Sequence, residues 1–125
     1  MDIKDKFRKK VAECYQKYKQ EWENESKEYL IDNAERIAVI NKIAEMLPDI
    51  TNDYEMNYLI RFKNPLTVIV DELVTWYGLN TQVLNENLGR VLFTIADRQD
   101  LDSDYDMELS DYSEDKFITM GGDVL

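Results

Sequence analysis

Apolar residues recur every three or four positions through most of the first 99 residues, the spacing of one buried helix face. Ile3, Phe7, Val11, Cys14, Tyr18 and Trp22 form the first stripe, which Tyr15 widens, so residues 2–25 are predicted to be a helix. A second stripe, Leu30, Ala34, Ile37, Ile40, Ala44 and Leu47, predicts a helix from Ser26 or Lys27 to Leu47. Ile31, Ala38 and Ile43 broaden it, Ser26 is a candidate cap, and Pro48-Asp49 is the expected stop. A short third helix is predicted over residues 53–62, where Tyr54, Tyr58, Leu59 and Phe62 share a side. Asn52 and Glu55 have the spacing of a capping box.

Asn64-Pro65 predicts the start of a fourth helix, because proline loses no hydrogen bond at the first helical position. Leu66, Ile69, Val70, Leu73 and Trp76-Tyr77 fill its stripe, and Gly78 is the expected terminator. Its many β-branched residues make a strand the rival, but cap, proline and length favour a helix. A fifth helix is predicted over residues 81–99 from Val83, Leu84, Leu88, Val91, Leu92 and Ile95. Gly89 inside it costs about 1 kcal/mol of helix propensity, for which close approach of a neighbouring helix is the expected compensation. The fold class is therefore all-α, a single bundle of four to five helices over residues 1–99. Residues 100–125 follow as an acidic C-terminal tail, partly disordered or docked.

Charge separates these two parts. The chain carries a net −11. Residues 100–125 hold nine acids and one base, a net −8, which leaves 14 bases and 17 acids, or −3, for residues 1–99. Such an end points to a cationic partner surface. No run of apolar residues approaches the roughly 20 that span a bilayer. Met1-Asp2-Ile3-Lys4 lacks an apolar signal core, and Cys14 is the single cysteine, so a cytoplasmic protein is expected. Cys14 lies in the first stripe and fits a small buried hydrophobe. The chain has no histidine, which removes the commonest general base and zinc ligand. No enzyme, cofactor or metal is expected.

One further pattern is the order of short motifs. Spaced aromatics lead to Trp22, followed by Ser26-Lys27-Glu28-Tyr29-Leu30 and Asn33-Ala34-Glu35-Arg36-Ile37. Then come Asn64-Pro65-Leu66 and Thr94-Ile95-Ala96-Asp97-Arg98. Over roughly residues 4–99 this order resembles a small helical domain family of unknown function. That family is carried on phages, plasmids and conjugative elements of Firmicutes, especially clostridia. The resemblance implies a mobile-element setting, where small acidic proteins often counter host defence. It implies no active-site residues and does not extend to the acidic end.

The acidic end alternates acids with apolar or aromatic residues from Asp100 to Leu109. An extended chain would align Asp100, Asp102, Asp104, Asp106 and Glu108 on one face, roughly 6.6–6.8 Å apart. Leu101, Tyr105, Met107 and Leu109 would lie on the other, available to pack. Such a strip, with Asp111 beyond it, imitates a phosphate backbone sparsely. The rival is a plain solvated tail. The same acids occupy alternate positions of a calcium loop, but Tyr105 and Asp111 stand where glycine and a closing glutamate are needed. A true EF-hand is not expected, and weak divalent binding by the clustered carboxylates stays open as the alternative.

Two other charge patterns remain. Lys4, Lys6, Arg8, Lys9, Lys10, Lys17 and Lys19 make the start of the first helix basic. A solvated face is the simplest account, with nucleic-acid contact or a folded-back tail as alternatives. The pairs Glu21/Glu25, Glu28/Asp32 and Asp71/Glu72 fit exposed helix surface better than a catalytic cleft. The expected function is that of an acidic phage or mobile-element protein. It would block a host nucleic-acid-binding protein by mimicry, as anti-CRISPR or anti-restriction proteins do. Asp100, Asp102, Asp104, Asp106, Glu108 and Asp111 would meet the basic partner surface, with Glu21, Glu25 and Glu28 in support. The alternative is a helical oligomerisation or regulatory module, a homodimer through the Phe7–Trp22 stripe, whose tail only solubilises or auto-inhibits.

Overall fold

The computed structural model describes residues 2–79 and 82–107. Among them are six helices: α1 (Ile3–Glu23), α2 (Lys27–Asp32), α3 (Ala34–Ile50), α4 (Asp53–Leu59), α5 (Pro65–Tyr77) and α6 (Leu84–Arg98). The architecture is an all-α bundle. α1 packs on α3, α4 and α5, while α6 covers α4 and α5. Ile40, Ile43, Leu47, Met56, Leu59, Leu66, Ile69, Leu73, Leu88 and Leu92 are fully buried between them. No helix among the described residues is long and apolar enough to cross a membrane.

The predicted second helix is in fact two. Asn33 leaves helical geometry, and its side-chain amide donates to the Tyr29 carbonyl at 2.9 Å. The backbone N–H of Asn33 donates to the same carbonyl at 3.0 Å, and α3 restarts at Ala34. Pro48 does not stop α3, which continues to Ile50. Lacking an N–H, Pro48 removes the i→i+4 donor to the Ala44 carbonyl, but only near the helix end. The ladder then closes on the Leu47 carbonyl, which accepts from Thr51 N (3.2 Å) and Thr51 Oγ1 (2.6 Å).

The other boundaries follow local chemistry. Asp2 and Ser26 accept from Asp5 N and Tyr29 N, capping α1 and α2. Asn52 and Glu55 form both bonds of the capping box, at 2.8 and 3.0 Å. α4 ends at Leu59, earlier than predicted, and turns bring Phe62 round to pair with Met107. Asn64 accepts from Thr67 N at 2.9 Å, and the β-branched run beyond it is helical. α6 begins at Leu84, later than predicted, and Thr81 lies outside the described residues.

Two expectations about the first helix change. Phe7, Val11 and Cys14 are buried in the chain's own core, with Tyr15, Tyr18 and Trp22 packed at its margin. The Phe7–Trp22 stripe is therefore occupied within one chain, and a dimer seam along all of it would have to displace the core. Lys10 is no part of a solvated face. It is buried, and its Nζ donates to the Ile60 carbonyl at 2.7 Å, just past the end of α4. An ammonium is costly to bury, and a charge-assisted bond to an orphan helix-terminal carbonyl offsets that cost.

Gly89 has no close neighbour. A Cβ built there meets nothing within 4 Å, and the position is solvent-exposed. The compensation expected for this glycine does not exist, so Gly89→Ala should stabilise the protein by up to about 1 kcal/mol through helix propensity alone. Urea unfolding of the two proteins checks this, and an unchanged or lower midpoint would contradict it.

Candidate functional site: an acidic ledge seated on Tyr58

The chain turns at the end of α6 because Gln99 adopts left-handed backbone geometry (φ 50°). That turn directs residues 100–107 back over α4 and α5. Leu101 enters the core with 8% of its surface exposed. Beneath it lies Tyr58, 1% exposed. The Tyr58 hydroxyl accepts from Leu101 N at 3.2 Å and donates to Asp102 Oδ1 at 2.6 Å. One buried oxygen thus positions two consecutive residues.

Further along, the Tyr105 ring meets Phe62 edge-on (centroids 6.1 Å apart, 90° between planes), and Phe62 meets Tyr58 the same way at 5.2 Å. The Tyr105 hydroxyl donates to Glu72 Oε2 at 2.8 Å. Lys63 N donates to the Asp106 carbonyl at 2.9 Å, and Phe62 pairs with Met107 in an antiparallel bridge. Leu101, Tyr105 and Met107 therefore pack inward, while Asp100, Asp102, Asp104 and Asp106 are exposed.

The result is a ledge, not the straight strip expected from the alternation. Asp104 N donates to the Leu101 carbonyl at 3.0 Å, closing a turn that interrupts any even row of acids. The turn brings Asp100 and Asp104 to one cavity of about 190 Å³, which Glu72, Trp76 and Arg98 also line. Among the described residues no group of three or more His, Cys, Asp or Glu side chains could hold a metal ion. Glu108 and Asp111 lie outside the described residues.

Glu21, Glu25 and Glu28 sit elsewhere, exposed around the corner between α1 and α2. Glu21 lines a cavity of about 200 Å³ with Lys17, Tyr18, Asn64 and Thr67. A neighbouring cavity shares Asn64 and Thr67 and is lined by Tyr105 and Asp106. The first turn of α5 therefore stands between Glu21 and the ledge, and Glu25 and Glu28 are not part of it. The pair Asp71/Glu72 is not plain exposed surface either. Asp71 accepts from Arg36 at 3.1 Å and Glu72 from Tyr105, both half-buried.

Tyr58, Phe62, Lys63, Glu72 and Trp76 hold or border the ledge, and sequence patterning singled out none of them for this role. For Tyr58, Phe62 and Trp76 the only local signal was placement on apolar stripes, which describes any core aromatic; Glu72 carried only the signal of an exposed acidic pair, and Lys63 carried none. Burial raises the ionisation of Tyr58 well above the ordinary tyrosine value, and its bond to Asp102 adds to the effect. Burial and then Glu72 do the same to Tyr105. Burial also pushes the Cys14 thiol up, in keeping with an unreactive core residue. Compared with known proteins, the chain matches no family model, no curated protein and no solved structure.

Two outcomes follow from this geometry. Tyr58→Phe strips the buried Leu101 N–H of its acceptor and should cost about 1–3 kcal/mol in urea unfolding, with a near-neutral effect contradicting the assigned role. Unfolded tyrosines ionise near pH 10, whereas Tyr58 and Tyr105 stay protonated in the fold until higher pH. Their contribution is then complete below about pH 10 and falls as pH rises through the folded values. Stability measured across this range should drop more steeply in the native protein than in a Tyr58→Phe/Tyr105→Phe variant.

Proposed function

We propose that this protein is an acidic binding protein of a phage or mobile element that occupies a basic, nucleic-acid-binding surface of a host protein. It acts in the cytoplasm as an inhibitor of the anti-CRISPR or anti-restriction kind, by nucleic-acid mimicry rather than by catalysis. The observation that carries this reading is the seating of residues 100–107. Their backbone is held by Tyr58, Lys63 and Phe62 while Asp100, Asp102, Asp104 and Asp106 remain exposed. A purely solvating tail has no need of such anchors. Fixing the carboxylates in advance lowers the ordering cost of binding, and their field speeds encounter with a cationic surface. The resemblance of the helical body to a mobile-element family supports the setting. Glu21, Glu25 and Glu28 add a second exposed acidic patch at the α1–α2 corner, apart from the ledge.

The test is capture of partners from a host lysate on immobilised protein, at increasing salt. Recovery of a nucleic-acid-binding protein should fall steeply as ionic strength rises. Asp100→Asn/Asp104→Asn/Asp106→Asn should abolish capture without altering the melting temperature, because Asp102, which receives the Tyr58 bond, is left in place. Partners without a basic groove, or capture by the triple variant equal to that of the native protein, would sink the proposal.

A further inference from the structure

A groove of about 470 Å³ lies between α1 and α3. That is within the range of binding pockets, roughly 300–1,000 Å³. Val11, Ala12, Ala44 and Pro48 give it an apolar lining, and the small alanine side chains leave the space open. The Tyr15 hydroxyl donates to Asn41 Oδ1 at 2.6 Å, which ties its two walls together. Arg8 and Glu45 are the charged residues that line it. The exposed surface of α1 around it is basic, with Lys4, Arg8, Lys9, Lys17 and Lys19 against Asp5 and Glu13.

The described residues end at Met107, and the sequence runs on to Leu125. Met107 pairs with Phe62, and the backbone on either side of Phe62 meets α1 twice. The Ile60 carbonyl accepts from Lys10, and the Lys63 carbonyl lies 3.9 Å from Cys14 Sγ. The chain therefore leaves the ledge beside α1. Val11 and Ala12 follow Lys10 directly, so the groove opens on another face of the same helix. The way half round a helix is roughly 15–20 Å, and the ten residues from Met107 to Phe117 reach up to about 33 Å. Residues 108–116 carry a net −3, opposite in sign to the face they must cross. Phe117-Ile118-Thr119-Met120 then offers three large apolar side chains with no charge among them. We infer that Phe117, Ile118 and Met120 of the chain's own C-terminal segment occupy the α1–α3 groove, with Glu108, Asp111, Glu114 and Asp115 laid across the basic face of α1. So short a tether gives an effective concentration on the order of millimolar, which a free competitor must exceed. Glu108 and Asp111 then serve α1, and the ledge is left as the acidic surface presented to a partner. The inference is independent of the inhibitor reading.

A nitroxide label on the full chain tests it. Cys14 is buried, so Gly121→Cys provides a single reactive position next to the apolar run. In the NMR spectrum the label should broaden the amide signals of Ala12, Tyr15, Ala44 and Glu45. Those of Arg90 and Phe93, on the exposed face of α6, should stay sharp. Adding Phe117→Ser/Ile118→Ser/Met120→Ser should abolish the broadening while the other amide positions, which report an intact body, are retained. Ala12→Glu, which places a charge in the groove from an exposed helix position, should abolish it as well. Broadening spread evenly over the chain, centred on another face, or unchanged in the triple-serine variant would overturn the inference. So would broadening of the same signals in isotope-enriched, unlabelled protein mixed with labelled protein that is not enriched, because the occupant would then belong to a second copy.

Discussion

The hydroxyl of Tyr58 is the point on which the acidic ledge of this molecule depends. It belongs to a buried side chain and makes two bonds to consecutive residues of a segment that would otherwise be driven off by its own charge. Four aspartates lie within seven residues, and repulsion among them favours an extended, hydrated chain. Burial of Leu101 and the paired bonds at Tyr58 oppose that tendency. Edge-on contacts run from Tyr58 through Phe62 to Tyr105, so one aromatic row carries the whole ledge.

A similar balance operates on the opposite side of α4. The basic start of α1 would be a poor place for cations if all of them faced water at a positive helix end. Lys10 instead reaches the Ile60 carbonyl, in the turn that leads to Phe62 and Lys63. That turn is where Met107 pairs. The ammonium thus steadies the same stretch of backbone that receives the ledge, and the charged start of the chain is tied to residues 106 and 107 through one short connection.

Much of the helical framework was legible beforehand, for reasons confined to neighbouring residues. The seams of α1 and α5, the Asn52–Glu55 box and the Asn64-Pro65 start all depend on contacts a few positions apart. Where such inference missed, local backbone geometry or the surroundings decided. Asn33 left helical geometry and split a helix that periodicity alone made continuous. Pro48 came close enough to the end of α3 to be carried along. Gly89 suggested a close helix crossing, and its surroundings are open.

By itself the sequence determined an all-α body, the concentration of acid at its end, and the alternation that lets Leu101, Tyr105 and Met107 turn one way while the aspartates turn the other. These are properties of spacing, and spacing is written along the chain. Tertiary structure alone decided that the acidic segment bends into a ledge, that Asp100 and Asp104 share a cavity with Glu72 and Trp76, and that Glu25 and Glu28 stay apart from it. Those outcomes join residues 24 to 44 positions apart, such as Trp76 with Asp100 and Tyr58 with Asp102. Only packing of α4, α5 and α6 brings such residues together, because no local rule relates a tyrosine on one helix to an aspartate beyond another.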